Sequence, residues 1–222
     1  MRRARGGSER ERTGEAERES AQAGPSFPPQ GGPHASHRAA RSGWFDSVYD
    51  DFETICAILG IRLKTRSMRT GGGSSSSKPC IWFSGFYSQG DGACFEGCYR
   101  YQQGSIRKIR THAPLDKELH RIADTLLSVQ RRNFYQITAE VSHRGRYCHA
   151  YSMDVSVERD SPNYQRLSGD DETIVIEALR DLANWLYRQL EQEYEYLSSN
   201  EVVDEALLAN AYTFTECGRR FG

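Results

Sequence analysis

Residues 80–101 place the strongest local constraint on how this chain can fold. Aromatic and β-branched residues such as Ile81, Phe83 and Phe95 favour extended strands in this stretch. Between them, residues 88–92 read Ser-Gln-Gly-Asp-Gly. Asp-Gly is a strong hairpin signal, because Gly tolerates positive φ and Asp can bond its own backbone. The stretch therefore predicts two antiparallel strands joined by a glycine-rich turn.

The turn carries more polar side chains than a simple hairpin needs, which leaves its role open. In the simplest interpretation, Asp91 and Ser88 cap the turn and Glu96 faces solvent. A second interpretation makes the loop a recognition surface, because loops on rigid scaffolds often carry function. The binding residues would then be Ser84, Ser88, Gln89, Asp91 and Glu96.

A third interpretation of the turn is catalytic. Cys94 or Asp91 would attack or activate a substrate, and Gln89 would donate to an oxyanion. His143 or His149 would be the base. The sequence signatures of known thiol enzymes are absent, and a cysteine on a strand is usually a small buried apolar residue. We therefore assign no catalytic residue from the sequence and favour a non-enzymatic protein.

Residues 1–42 differ in composition from the rest of the chain. They contain eight Arg and five Glu, many Gly, Ser and Pro, and almost no large apolar side chains. Such a segment cannot bury enough apolar surface to offset its ordering entropy, so it is predicted to be a disordered tail. No apolar run follows the arginines, which argues against a secretory signal. We expect a single domain at residues 43–217 and a C-terminal tail at 218–222.

The six cysteines bear on the compartment and on metal binding; they are Cys56, Cys80, Cys94, Cys98, Cys148 and Cys217. Without a secretory signal, we expect reduced thiols in a cytoplasmic protein. No run of about 18 apolar residues exists, so no membrane partner is expected. Cys94 and Cys98 would share a strand face and could hold a metal with a histidine. Because they form no Cys-x-x-Cys pair, we predict neither a metal nor a cofactor.

Hydrophobic periodicity predicts helices toward both ends of the chain and strands between them. Helical spacing indicates four helices, at residues 44–60, 114–132, 170–198 and 200–212. Alternation indicates a strand at 61–68 and a hairpin of 134–143 with 146–157 across Arg144-Gly145. The pattern favours an α+β fold, in which an antiparallel sheet of about five strands carries helices on one face and a long C-terminal helix.

Charge is distributed unevenly along the chain. Residues 43–169 contain 17 Lys and Arg against 13 Asp and Glu, whereas residues 170–217 contain 2 against 12. The acidic segment is either a set of solvated helix faces or a surface that docks on a basic partner protein. Its binding residues would be Glu191, Glu193 and Glu195, and the tyrosines among them are typical interface anchors.

Arg144 and Arg146, with His143 and His149, give the second hairpin a basic tip. The tip is either a solvated hairpin end or, together with the basic strand at 61–66, a nucleic-acid contact. The acidic C-terminal segment and the lack of a recognisable nucleic-acid-binding module disfavour the second interpretation. A nucleic-acid-binding regulator therefore remains an alternative, as does a small enzyme at the glycine-rich turn.

Four stretches of the sequence suggest a family, namely residues 44–51, 81–97, 119–123 and 185–197. They resemble small proteins of bacteriophages and bacterial mobile elements known as antitoxins of toxin–antitoxin stability systems. The similarity spans residues 43–217, and Ser-Gln-Gly-Asp-Gly-Ala-Cys-Phe-Glu-Gly at 88–97 is its most specific part. The resemblance implies a cytoplasmic protein that binds and neutralises a toxin or a defence factor, and it carries no catalytic residue set.

Overall fold

The computed structural model describes residues 43–69, 75–161, 166–211, 213–214 and 217–221. Residues 1–42, for which the composition predicts a disordered tail, lie outside the described residues. The described helices are α1 (Asp46–Leu59), α2 (Ser105–His112), α3 (Lys117–Arg132), α4 (Gly169–Leu197) and α5 (Asn200–Ala209). A short 3-10 helix spans Ala150–Ser152.

The strands that the structure describes form one larger sheet and three two-stranded ladders. The strands are β1 (Ile61–Leu63), β2 (Thr65–Arg69), β3 (Ser75–Pro79), β4 (Ile81–Phe83), β5 (Ala93–Phe95), β6 (Gly97–Arg100), β7 (Ile137–His143), β8 (Met153–Arg159), β9 (Thr213–Phe214) and β10 (Arg220–Phe221). The larger sheet has the antiparallel order β1-β6-β7-β8, and the ladders pair β2 with β3, β4 with β5, and β9 with β10. The predicted C-terminal tail at 218–222 thus contains β10.

The α+β class is confirmed, and alternation along the strands explains why the helices cover one face of the sheet. On β7, Ile137, Ala139 and Val141 are buried, and the residues between them are more exposed. The buried face joins the side chains of α1, α3 and α4 in one hydrophobic core. The larger sheet has four strands among the described residues, where the sequence predicts about five, because β4 and β5 form a ladder of their own.

Helix α1 ends at Gly60, whose lack of a side chain lets β1 and β6 approach each other. Phe52, Ile55, Cys56 and Leu59 form its buried stripe. Gly60 follows with φ 86° and ends the helix in the left-handed region. A Cβ at this position would lie 2.1 Å from the carbonyl oxygen of Arg100, so only glycine lets the start of β1 lie beside the end of β6.

Helix α3 begins three residues after the predicted start at Pro114. Asp116 is its N-cap, and its Oδ1 accepts hydrogen bonds from the backbone amides of Glu118 and Leu119 at 3.0 and 2.9 Å. The other oxygen, Oδ2, accepts from Nε1 of Trp185 at 2.7 Å. One carboxylate therefore starts α3 and joins it to α4.

Helix α4 matches its predicted range to within one residue at each end. Ser168 caps it by accepting a hydrogen bond from the backbone amide of Asp171 at 3.2 Å. Its buried stripe includes Leu179, Leu182, Leu186 and Leu190, and its last residues are exposed. Helix α5 continues from this end and has no buried residue.

The predicted turn of the second hairpin is wrong. His143 pairs with Met153, so the connection between β7 and β8 covers the nine residues 144–152 and not the dipeptide Arg144-Gly145. Buried Ala150 and Met153 anchor the end of this connection in the core. Ser152 Oγ donates to the carbonyl oxygen of Tyr147 at 2.7 Å, which folds the connection back on itself.

Candidate functional site

The predicted glycine-rich hairpin is confirmed. Strands β4 and β5 pair with Ile81 opposite Phe95, and residues 84–92 form the loop between them. Asp91 Oδ2 accepts a hydrogen bond from the backbone amide of Ser88 at 2.7 Å, and Asp91 N donates to Ser88 O at 3.1 Å. Asp91 thus caps the turn, as the simplest interpretation of the sequence expects.

The loop at 84–92, called the glycine loop below, packs against the connection at 144–152, called the second loop. Ser84 Oγ accepts from the backbone amide of Gly92 at 3.2 Å and lies 3.4 Å from the carbonyl oxygen of Cys148, to which it donates. A Cβ at Gly92 would lie 2.8 Å from Cδ2 of His149 and 3.0 Å from that carbonyl. Gly92 is therefore required for the two loops to touch.

This contact brings Cys94 next to a histidine and a cysteine that lie about 50 residues further along the chain. One ligand atom from each of Cys94, His143 and Cys148 lies within 4.8 Å of the other two. Cys94 is buried on β5, and the other two residues are half-buried at the end of β7 and on the second loop. Strand alternation in the sequence instead groups Cys94 with Cys98. That grouping is wrong because the chain leaves the β4–β5 ladder at Glu96 and Cys98 lies in the larger sheet.

The structure places His143 next to Cys94, as the catalytic interpretation requires, but it does not activate the Cys94 thiol. Burial raises the pKa of the Cys94 thiol well above its ordinary value, and it also raises the pKa of Cys148. A nucleophilic cysteine requires the opposite shift. The second candidate base, His149, uses Nδ1 to accept a hydrogen bond from the backbone amide of Tyr151 at 3.1 Å. Of the two histidines, only His143 has a ring nitrogen in the cysteine cluster.

Glu96 does not face solvent, contrary to the simplest interpretation of the hairpin. Its side chain is 12% exposed, and its Oε2 forms an ion pair with Nζ of Lys64 at 2.9 Å. Its Oε1 also accepts a hydrogen bond from the backbone amide of His143 at 3.4 Å. Glu96 is therefore half-buried between β5 and β6, whereas Ser88 and Gln89 lie on the exposed glycine loop.

A polar cavity of about 320 Å³ lies on the outer face of the sheet, next to Glu96. Its lining includes His143 and mixes both signs of charge, from Lys64, Arg144, Glu96, Glu140 and Asp154. Arg146 is exposed on the second loop and does not line this cavity. The predicted basic tip therefore does not continue into a uniformly positive groove of the kind that follows a nucleic-acid backbone.

The exposed end of α4 and the glycine loop form a surface that we call the tyrosine–acid face; it comprises Tyr87, Asp91, Tyr187, Glu191 and Glu195. Tyr87 is exposed, and partial desolvation, followed by the carboxylates of Glu195 and Glu191, raises its pKa. Burial, and then Glu191 and Asp91, raise the pKa of Tyr187. Glu191 and Glu195 are one helical turn apart and share a side of α4, whereas Glu193, two residues from each, points to a different side. The predicted trio of glutamates is thus not one cluster.

The carboxylates of the tyrosine–acid face have no cationic partner in the part of the chain that the structure describes. The acidic segment at 170–217 holds two arginines, and both are engaged elsewhere. Arg180 pairs with Glu177 at 2.9 Å, and Arg188 pairs with Glu118 of α3. Among the described residues, the negative charge beside the glycine loop is therefore not balanced by an ion pair.

Sequence reasoning missed Tyr87, Cys148 and Ser152 as site residues. Tyr87 is 72% exposed and has φ 73°, a backbone conformation that the sequence does not reveal. The sequence contains a signal that could have identified Cys148 as a candidate metal ligand. Cys148 lies close to His143 in the chain, at a short spacing typical of metal ligands. Ser152 lies where the 3-10 helix turns, and its role depends on contacts that only the folded second loop makes.

The fold and the site together define an α+β protein in which two touching loops and the end of a long acidic helix form one exposed face. The chain belongs to the family described as domain of unknown function DUF8835, whose model matches residues 44–200. The matched range includes both loops, the cysteine cluster and all of α4. No curated protein and no solved structure shows significant similarity to the chain. No helix among the described residues is long and apolar enough to cross a membrane.

Proposed function

We propose that this is a non-enzymatic binding protein of the cytoplasm that neutralises a partner protein, in the manner of an antitoxin or a phage counter-defence protein. The tyrosine–acid face docks on a basic surface of the partner, which is a toxin or a defence factor. The observation that carries the proposal is a set of carboxylates, without an ion pair to any described residue, around an exposed tyrosine.

Uncompensated charge favours a basic partner through long-range attraction. Like-signed charges on one surface raise the rate of encounter with an oppositely charged protein and disfavour wrong partners. Glu191 and Glu195 lie near Tyr87, and Asp91 adds a third carboxylate from the glycine loop. The same field repels a nucleic-acid backbone, which is why a protein partner is favoured here.

Tyr87 has the properties of a rigid anchor. A non-glycine residue in the left-handed region costs about 1–2 kcal/mol and persists where its surroundings impose it. The preceding residue, Phe86, is fully buried, with its ring centroid 5.5 Å from that of Tyr187 and 5.2 Å from that of Tyr194. Phe86 thus fixes the loop from below while Tyr87 projects outward, and exposed tyrosines are common hot spots of interfaces.

The test begins with affinity purification of the full chain from the organism that encodes it, followed by binding measurements with the purified partner. The double variant Glu191→Lys/Glu195→Lys should weaken binding by about tenfold or more, because each reversal exchanges an attraction for a repulsion of up to about 1 kcal/mol. The dependence of affinity on salt should also decrease.

A matched control is the double variant Glu201→Lys/Glu205→Lys. It makes the same change of charge at the same spacing on exposed positions of α5. If both double variants lower the affinity equally, the net charge and not the tyrosine–acid face determines binding. If no protein is retained in stoichiometric amount by the full chain, the proposed function is wrong.

A further inference from the structure

The geometry points to a zinc site formed by Cys94, His143 and Cys148. This site is independent of the tyrosine–acid face and goes beyond the proposed function. Its three ligand atoms, two sulfurs and one imidazole nitrogen, lie within 4.8 Å of one another. Residues this far apart in sequence converge because the second loop is drawn onto β5.

The distances suit one small cation. The three ligand atoms all lie within 4.8 Å of one another, which is about twice the Zn–S bond length of about 2.3 Å. A tetrahedral site places its ligand atoms about 3.7 Å apart, so small rotations of the side chains would complete the geometry. Thiolate sulfur with imidazole nitrogen is a donor set typical of zinc, whereas magnesium and calcium prefer oxygen.

The hydrogen bonds of Ser152 prepare His143 as a ligand. Ser152 Oγ lies 2.7 Å from the carbonyl oxygen of Tyr147 and 2.8 Å from that of His149, so its single proton is donated to a carbonyl. It therefore accepts from Nδ1–H of His143 at 3.2 Å. The proton on Nδ1 leaves Nε2 with a free lone pair. Metal-bound histidines commonly donate their second nitrogen in this way.

The loop contacts hold Cys148 beside Cys94 before any metal binds. Ser84 contacts the carbonyl of Cys148, and Gly92 leaves the room that the backbone of the second loop occupies. Cys94 is buried, while His143 and Cys148 are half-buried, so an ion can reach the cluster from solvent. On binding, the two thiols release their protons to solvent, and the fourth coordination position is filled by water or by a donor from a partner.

The ion would join the second loop to the β4–β5 ladder. The second loop carries Tyr147 and Tyr151, and both are exposed. Without a metal ion, weak contacts hold the two loops together, such as the hydrogen bond that Ser84 Oγ donates to the carbonyl oxygen of Cys148 at 3.4 Å. A zinc ion adds three coordinate bonds across the same gap.

The experiment uses the full chain, purified under a reductant and without chelator, and measures its zinc content by inductively coupled plasma mass spectrometry. The wild type should hold about one zinc ion per chain. Cys148→Ser and His143→Gln should each hold less than about a tenth of that amount, because a three-ligand site loses a first ligand. Cys98→Ser is the matched control and should retain full zinc, since Cys98 is not part of the cluster.

Cobalt substitution provides the second measurement. The cobalt-loaded wild type should show thiolate-to-cobalt charge-transfer bands and the visible spectrum of a tetrahedral ion, and Cys148→Ser should lose most of the charge-transfer intensity. Ser152→Ala tests the positioning of His143 and should bind zinc about 10–100-fold more weakly while it retains the tetrahedral spectrum.

Folding is checked separately by circular dichroism, and the half-buried positions 143 and 148 carry the test because replacing buried Cys94 can disturb the core. The inference is overturned if the reduced wild type, offered excess zinc, binds less than about a tenth of an equivalent. It is also overturned if folded Cys148→Ser and His143→Gln bind zinc as the wild type does. Zinc content is measured on the chain alone, so failure to find a partner protein would not affect the result.

Discussion

Replacing Gly92 with alanine should separate the glycine loop from the second loop. The added Cβ would lie 2.8 Å from Cδ2 of His149, and 3.0 Å from both the Cα of that residue and the carbonyl oxygen of Cys148. Two of these three neighbours are backbone atoms, so rotation of a side chain cannot relieve the contact. Gly92 has no positive φ, and the expected effect is therefore steric and not a matter of backbone strain.

The magnitude follows from two opposing effects. Overpacking in a close contact costs about 1–3 kcal/mol. Replacing glycine with alanine also restricts the unfolded chain, which stabilises the fold by about 0.4–1 kcal/mol. The net loss in the free energy of unfolding should be about 1–2 kcal/mol. For a domain of this size, the melting temperature should decrease by about 2–8 °C.

Urea unfolding of the full chain, with Gly169→Ala as control, measures this effect. A Cβ at Gly169 meets no atom within 4 Å, so that variant should be as stable as the wild type or slightly more stable. Gly92→Ala should also increase the rate at which a thiol reagent labels Cys94, which is buried in the wild type. If Gly92→Ala unfolds at the same urea concentration as Gly169→Ala and labels no faster, the two loops do not depend on Gly92 for their contact.

Three further changes test other parts of the structure. Asp116→Ala removes the cap of α3 and leaves the buried Nε1 of Trp185 without its acceptor, so urea unfolding should show a loss of about 2–4 kcal/mol; a loss below about 1 kcal/mol would contradict this account. Asn133 holds the pKa of the Asp171 carboxyl below its ordinary value. The stability that this group contributes is present above the unfolded-state pKa of 3.8 and is lost as the pH decreases through the lower folded pKa. Melting temperatures at decreasing pH should therefore converge for wild type and Asp171→Asn, and parallel curves would refute the assignment. Tyr87→Gly relieves the positive φ and should leave the melting temperature unchanged or higher, yet it should weaken partner binding in a titration; unaltered affinity would exclude Tyr87 as an anchor.

Local signals in the sequence account for much of the fold. The leucine stripe of α4 and the Asp-Gly turn of the glycine loop each depend on neighbours within a few residues, and both were predicted with little error. The prediction of a turn at Arg144-Gly145 is wrong because it relied on the turn propensity of these two residues alone. What determines the actual register is the burial of Ala150 and Met153 in a core built by distant helices.

The site was less predictable because its parts meet only through tertiary contacts. The pairing of Cys94 with Cys98 assumed one continuous strand, and the break at Glu96 separates them into two sheets. Cys148 reaches Cys94 only because Gly92 has no side chain. The charge composition identifies the end of α4 as acidic. It does not show that Glu193 lies on a different side of the helix from the glutamates next to the glycine loop, because that depends on helix geometry.

The length of α4 has a mechanical consequence for recognition. Its 29 residues form a rod about 44 Å long, one end of which is bonded to α3 through Asp171 while the middle lies in the core. In the proposed complex, a partner that presses on the far end acts against the packing of the whole domain. The glycine loop beside it is held from below by buried Phe86, so the partner would have to fit two fixed walls.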